Sequence, residues 1–240
     1  MAMRMPEQHN RQKPENIWVN LIFNLVIPTL ILTRFSGEQQ LGAQWGVMVA
    51  LAFPVGYGVR DYFVRGKLNF FSALGVLSVL LTGGMSLLEI DPKYIAIKEA
   101  AIPALFGLAT LISLKTPWPL VRTFLYNDKV LETARVDAAL DQFGTRSGFE
   151  KALRNASLML TGSFFLSSVL NYILARMVLV SPPGTEAFNA ELGKMTALSF
   201  PVITLPAMVV LMSAFFYLFR QIKQLTHLEL EDIIKHPEKH

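Results

Sequence analysis

The sequence predicts an all-α, polytopic membrane protein of about six transmembrane helices with both termini in the cytoplasm. Three observations predict it. Hydrophobic residues make up 52% of the 240 and charged ones only 17%, against roughly 25% charged in soluble proteins. Six stretches are apolar over roughly 20 residues, the length a bilayer core requires at about 1.5 Å per residue. The basic residues are spread unevenly over the intervening loops. A water-soluble domain has no way to hide so many apolar side chains, and the same excess excludes a disordered chain. Zero cysteines exclude a disulfide scaffold.

In chain order the six windows are Ile17–Thr33, Leu41–Val59, Phe70–Leu88, Ile95–Leu114, Ala156–Val180 and Thr196–Phe219. Charge or helix-breaking residues fill every gap. The windows are too long and too evenly apolar for alternating barrel strands, which leaves helices as the way to satisfy the backbone in lipid. The first window carries Asn20 and Asn24 and lacks a small-x-small cleavage site close behind it, so it is read as a retained helix. The organisation is then a cytoplasmic tail (1–16), a membrane domain (17–219) with a cytoplasmic amphipathic loop (115–155), and a second cytoplasmic tail (220–240).

Orientation follows from Lys and Arg. Seventeen of the 22 fall in the N-tail, the second and fourth loops and the C-tail, leaving Arg34, Lys93, Lys98, Arg176 and Lys194 elsewhere. This bias puts both termini inside. It also accounts for the net charge of +4, so the positive balance reads as a topology belt attracted to anionic lipid rather than as a nucleic-acid surface.

In the fourth loop, Leu120, Val121, Phe124 and Leu125 recur at helical spacing, followed by Leu131, Ala134 and Ala138. One or two amphipathic helices are expected, lying on the inner leaflet or packed against the bundle's own cytoplasmic end. Ser147 and Glu150 fit a capping box, and a helix starting there would run through Lys151 and Arg154 into the fifth span.

Ionisable groups inside a membrane are expensive and therefore informative. The fourth span carries Lys98 and Glu99. As neighbours in sequence they are expected to point apart, whereas Glu99 and Arg176 of the antiparallel fifth span lie at similar depth. Such a pair would line an outward-facing cavity, or simply staple two helices, and the second use is favoured. Two uncharged stripes accompany them: Asn20 with Asn24, and Ser163, Ser167 and Asn171, each at four-residue spacing on one helix face. They suit a polar groove for a head group or, more commonly, hydrogen bonding between helices. Pro28, Pro54, Pro103, Pro201 and Pro206 and the pair Gly83-Gly84 interrupt the spans. Ile27-Pro28-Thr29-Leu30 and Ile102-Pro103-Ala104-Leu105 hint at an inverted repeat, and Gly42 to Gly46 is a small-xxx-small spacing for close helix packing.

The sequence has no phosphate-binding loop, nucleophile elbow, dinucleotide fingerprint or zinc spacing, and its four histidines lie in the tails. No cofactor, no metal and no catalytic residue are expected, and the chain is read as not an enzyme.

The stretch from Asn69-Phe70-Phe71-Ser72-Ala73-Leu74-Gly75 through Leu80-Leu81-Thr82-Gly83-Gly84, Lys98-Glu99 and Pro119-Leu120-Val121-Arg122 to Asn171-Tyr172 resembles the bacterial inner-membrane family of intracellular septation protein A and its uncharacterised relatives. The likeness covers the later part of the chain. A longer loop (Asp128–Phe149) and an additional N-terminal span depart from the family's pattern. The resemblance implies the bacterial inner membrane and a part in envelope upkeep, membrane homeostasis or septation, through contacts with other inner-membrane proteins. The lipid bilayer and a second copy of the chain (a homodimer) are the further expected partners. No nucleic-acid partner is expected, because the basic residues form no patch with aromatic or motif support. A small transporter with a polar cavity is the alternative.

Overall fold

The computed structural model describes residues 19, 22–65, 70–116, 120–128 and 131–235. Among them the chain is all-helical, with an isolated antiparallel bridge between Leu131 and Ile234. The helices are α1 (Ile22–Arg34), α2 (Gly42–Arg65), α3 (Phe70–Leu87), α4 (Pro92–Ser113), α5 (Leu120–Leu125), α6 (Thr133–Gln142), α7 (Arg146–Val178), α8 (Glu186–Ser199), α9 (Leu205–Thr226) and α10 (Leu230–Ile233). A π turn, Phe200–Thr204, joins α8 to α9.

Among the described residues four helical stretches are long and apolar enough to cross a membrane: Gly42–Phe63, Pro92–Ser113, Arg146–Val178 and Glu186–Thr226. The apolar helices Ile22–Arg34 and Val76–Leu87 fall short of that length among the described residues. Large apolar side chains stand exposed along these helices, Phe63, Leu105, Met177, Val209 and Phe216 among them. Apolar patches of this extent belong against lipid rather than water. The chain reads as an integral membrane protein.

The prolines do not end helices. α1 opens with a π turn, Ile22–Val26, two residues before Pro28, and the π turn Phe200–Thr204 stands two residues before Pro206. A proline ring collides with the carbonyl four residues back. Widening the preceding turn relieves that collision, and Leu205 donates to Phe200 O five residues back. Pro54 and Pro103 sit inside unbroken α-helices. The local geometry at Pro28 therefore matches Pro206 and not Pro103, so the proposed repeat match stops at its letters. Gly83 does not interrupt α3 either. Its missing Cβ admits Leu51 of α2.

The chain divides into two compact units. One contains Met1–Pro92 and Val178–Ala197; the other contains Lys93–Met177 and Leu198–His240. In the first, α1 packs on α2, α2 on α3, and α8 lies against α1, where a Cβ on Gly193 would stand 2.7 Å from Thr33 Cγ2 and 3.1 Å from Thr29 O. Gly46 gives room to the buried Ser36, while Gly42 adopts φ +73 and faces nothing within 4 Å. Of the small-xxx-small pair, one glycine serves packing and the other the turn.

Three turns meet in this unit. Gly37, between α1 and α2, approaches Glu186, and Gly184, between α7 and α8, approaches Glu89 of the α3–α4 turn. Glu191 fastens the chain before α8 by accepting from Val180 N, Ser181 N and Ser181 Oγ at 2.7–2.9 Å.

In the second unit the fourth loop packs against helix ends rather than lying free. Val121, Leu125, Tyr126, Leu131, Val136 and Leu140 are buried together with Phe149, Ala152, Leu153 and Ala156 of α7, Leu218 and Ile222 of α9, and Ile233. Leu131 and the Val136/Leu140 side of α6 face inward, whereas Ala134 and Ala138, expected on the apolar face, are exposed. The stretch after residue 219 continues as helix to Thr226 and returns through α10, where Glu132 N donates to Ile233 O. The expected helix through Lys151 and Arg154 into the fifth span is present as α7, but it begins at Arg146. Ser147 thus lies within the first turn and is not the N-cap.

Candidate functional site

The polar residues of the second unit are set by α4, α7 and α9. Lys98 and Glu99 lie on the second turn of α4. Contrary to the expectation from their spacing, Lys98 Nζ donates to Glu99 Oε1 at 2.7 Å, and both side chains are largely buried. Adjacent side chains leave a helix about 100° apart, but a four-carbon lysine stem spans that gap when burial makes separation costly. Arg176 is exposed near the end of α7, and no ion pair joins it to Glu99. The charge pair thus joins neighbours of one helix instead of bridging α4 to Arg176 of α7.

The serine and asparagine stripe of α7 is divided among different tasks. Ser163 is buried and donates across to Ala207 O of α9 at 3.2 Å. Asn171 Nδ2 donates back to Ser167 O on its own helix at 2.8 Å. Ser167 is half-buried. Ser168, which four-residue spacing passes over, donates to Ala100 O of α4 at 2.8 Å. Gly107 of α4 meets Phe164 and Phe165 of α7, where a Cβ would stand 3.3 Å from Phe164 Cβ. A serine that bonds a foreign carbonyl next to a glycine contact is a helix-packing signal, readable only once the partner helix is known.

In the first unit Asn24 is half-buried within the π turn that opens α1. Asn20, its partner in the proposed stripe, lies outside the described residues. The asparagine that joins helices here is one the sequence did not mark. Asn189 on α8 is fully buried, and its Nδ2 donates to Ala43 O of α2 at 2.7 Å. No periodicity singles it out, because it follows Glu186 in a stretch that reads as loop.

A second polar cluster stands at the loop end of the second unit. The Tyr126 hydroxyl donates to Thr133 O at 3.1 Å, and its ring meets Phe149 edge-on at 4.8 Å. Burial, reinforced by the neighbouring Asp137 carboxylate, pushes this hydroxyl above the usual tyrosine range. Arg146 holds Asp141 with two parallel bonds, Nε to Oδ1 at 2.7 Å and Nη2 to Oδ2 at 3.0 Å, and Asp137 Oδ1 lies 3.6 Å from its Nη2. The Arg146 guanidinium holds Asp141 below the usual carboxylate range. Thr145 Oγ1 donates to Leu225 O, tying the start of α7 to the end of α9. These contacts fasten a loop to a bundle; they present no nucleophile beside a base.

Of the eight expected site residues, the structure joins Lys98 to Glu99 and Ser163 to α9. It turns Asn171 onto its own helix and leaves Arg176 exposed. Among the described residues no group of three or more His, Asp or Glu is arranged to hold a metal ion. No protein-family model, no curated protein and no solved structure matches the chain.

Proposed function

We propose that the chain is a multi-pass protein of the bacterial inner membrane that acts without catalysis in membrane homeostasis or septation, through contacts with lipid and other membrane proteins. About six spans with both termini cytoplasmic complete this reading. The observation that carries it is the use of intramembrane polarity for structure. Ser163 and Ser168 each donate to a carbonyl of another helix, and Lys98 is paired with its own neighbour. A carrier keeps its polar groups facing a cavity at the repeat interface; Ser163 and Ser168 instead bond helix backbones, and Lys98 bonds the carboxylate beside it. The wide apolar surface supplies the area for lipid and protein contacts.

Deletion with complementation tests it. Cells lacking the chain should divide late or lose envelope integrity. A Glu99→Ala gene should restore them to the extent that its protein accumulates. Normal division and an intact envelope after deletion would overturn the proposal. So would saturable solute uptake by purified protein in liposomes that Glu99→Ala abolishes, which is the transporter's signature.

A further inference from the structure

Between α1 and α2 lies a groove of about 430 Å³ lined by Val19, by Phe23 of α1 and by Ala52, Phe53, Gly56, Tyr57 and Arg60 of α2. Its size falls in the ligand-cavity range of about 300–1,000 Å³. Phe53, Gly56, Tyr57 and Arg60 recur at three- and four-residue steps, so they share one face of α2. Phe23 is carried by the π turn of α1, and its ring lies 6.1 Å from that of Tyr57 and 6.3 Å from that of Phe53. Gly56 opens the groove, for a Cβ there would meet nothing within 4 Å among the described residues. Arg60 stands at one end, exposed and in no ion pair among the described residues. It is also the first charged residue after the apolar window Leu41–Val59, where hydrocarbon gives way to headgroups. The face from Phe53 to Arg60 is about 10 Å long.

An apolar trough that ends in one guanidinium at headgroup depth has the chemistry of an amphiphile's site. A free anion has no use for the aromatic wall, and a second apolar helix has no use for the cation. We propose that this groove binds one anionic phospholipid, with an acyl chain along Phe23, Phe53 and Gly56 and the phosphate held by Arg60. Arginine suits the task because its fork matches phosphate oxygens two at a time. The proposal deepens the lipid-contact part of the reading above and rests on α1 and α2 lying in the bilayer.

Native mass spectrometry of the full-length protein in mild detergent, titrated with phosphatidylglycerol or phosphatidylcholine of the same chain length, tests it. The first lipid bound should be phosphatidylglycerol by a preference of about fivefold, the worth of one basic residue at a lipid surface. Arg60→Ala should abolish the preference and leave phosphatidylcholine binding in place. Gly56→Leu should lower first-site binding of both lipids severalfold. Its side chain enters open space and replaces a poor helix former, so the variant should fold, and its melting temperature in detergent checks this. An undiminished preference in Arg60→Ala, or unchanged binding by folded Gly56→Leu, overturns the proposal. A dimer that Gly56→Leu dissociates puts a second copy in the groove and overturns it too. Recovery of the native chain from membranes without detergent would sink the membrane reading and the groove together, whereas indifferent lipid binding by a detergent-requiring chain sinks the groove alone.

Discussion

Ser167 and Ser168 are neighbours on α7 with different work. Ser168 reaches Ala100 O on α4, so Ser168→Ala should lower thermal stability in detergent by about 1 kcal/mol. Ser167 offers its carbonyl to Asn171 and no hydroxyl bond to another helix, so Ser167→Ala should melt with the parent. Equal losses from the two would contradict this division. The spacing of Ser163, Ser167 and Asn171 was legible in the sequence because a helix repeats every three to four residues. The identity of the bonding serine was not, because it depends on which helix covers the face. Asp141 gives a pH-dependent counterpart. Its folded pKa is depressed by Arg146, so its contribution is present above the ordinary carboxylate value of about 3.9 and fades as pH falls through the folded value. Asp141→Asn should therefore melt below the parent near neutrality, with the gap closing towards acid. The pair is exposed and the gap should be small; a gap independent of pH in calorimetric melts would contradict the assignment.

At the scale of elements, close approach rather than periodicity decides what each glycine does. Gly193 on α8 leaves no room for a methyl against Thr33 and the backbone of Thr29. Gly193→Ala should lower stability by about 1–3 kcal/mol, the usual cost of overpacking. Gly162 on α7 faces nothing within 4 Å, so Gly162→Ala should be neutral or stabilising in the same melts. The reverse order would refute the contact between α8 and α1. In their described residues all six apolar windows hold helix, four of them long enough to span, because roughly twenty apolar residues in lipid have few other options. Less was legible where a break or a loop was expected. Pro28 and Pro206 widen a turn instead of ending a helix, and the helix Glu186–Ser199 begins inside Ser181–Lys194, which reads as a gap between spans. The amphipathic pattern around Leu120–Leu140 fixed the existence of α5 and α6 but left two surfaces available to them. Burial of Val121, Val136 and Leu140 with Phe149 and Ile222 selects the bundle end over the leaflet. Phe149→Ala should then cost about 3–5 kcal/mol and expose the residues around α6 to protease; an unchanged digestion pattern would argue against a docked loop.

For the whole molecule the relation of its turns matters most. The turns at Gly37, Glu89 and Gly184 lie close together within one unit. Leu131 pairs with Ile234, and Arg135 lies 3.0 Å from Asp232, within the other. An even number of crossings must therefore separate the members of each set, which supports the alternation that the Lys and Arg distribution suggests. Zero cysteines in the sequence make the threading directly measurable. Single cysteines at Glu38, Pro182, Gln142 and Glu231 can be probed with a membrane-impermeant maleimide. Glu38→Cys and Pro182→Cys should label in intact cells, and Gln142→Cys and Glu231→Cys only after the membrane is permeabilised. Labelling of Gln142→Cys or Glu231→Cys in intact cells alongside Glu38→Cys would contradict the account.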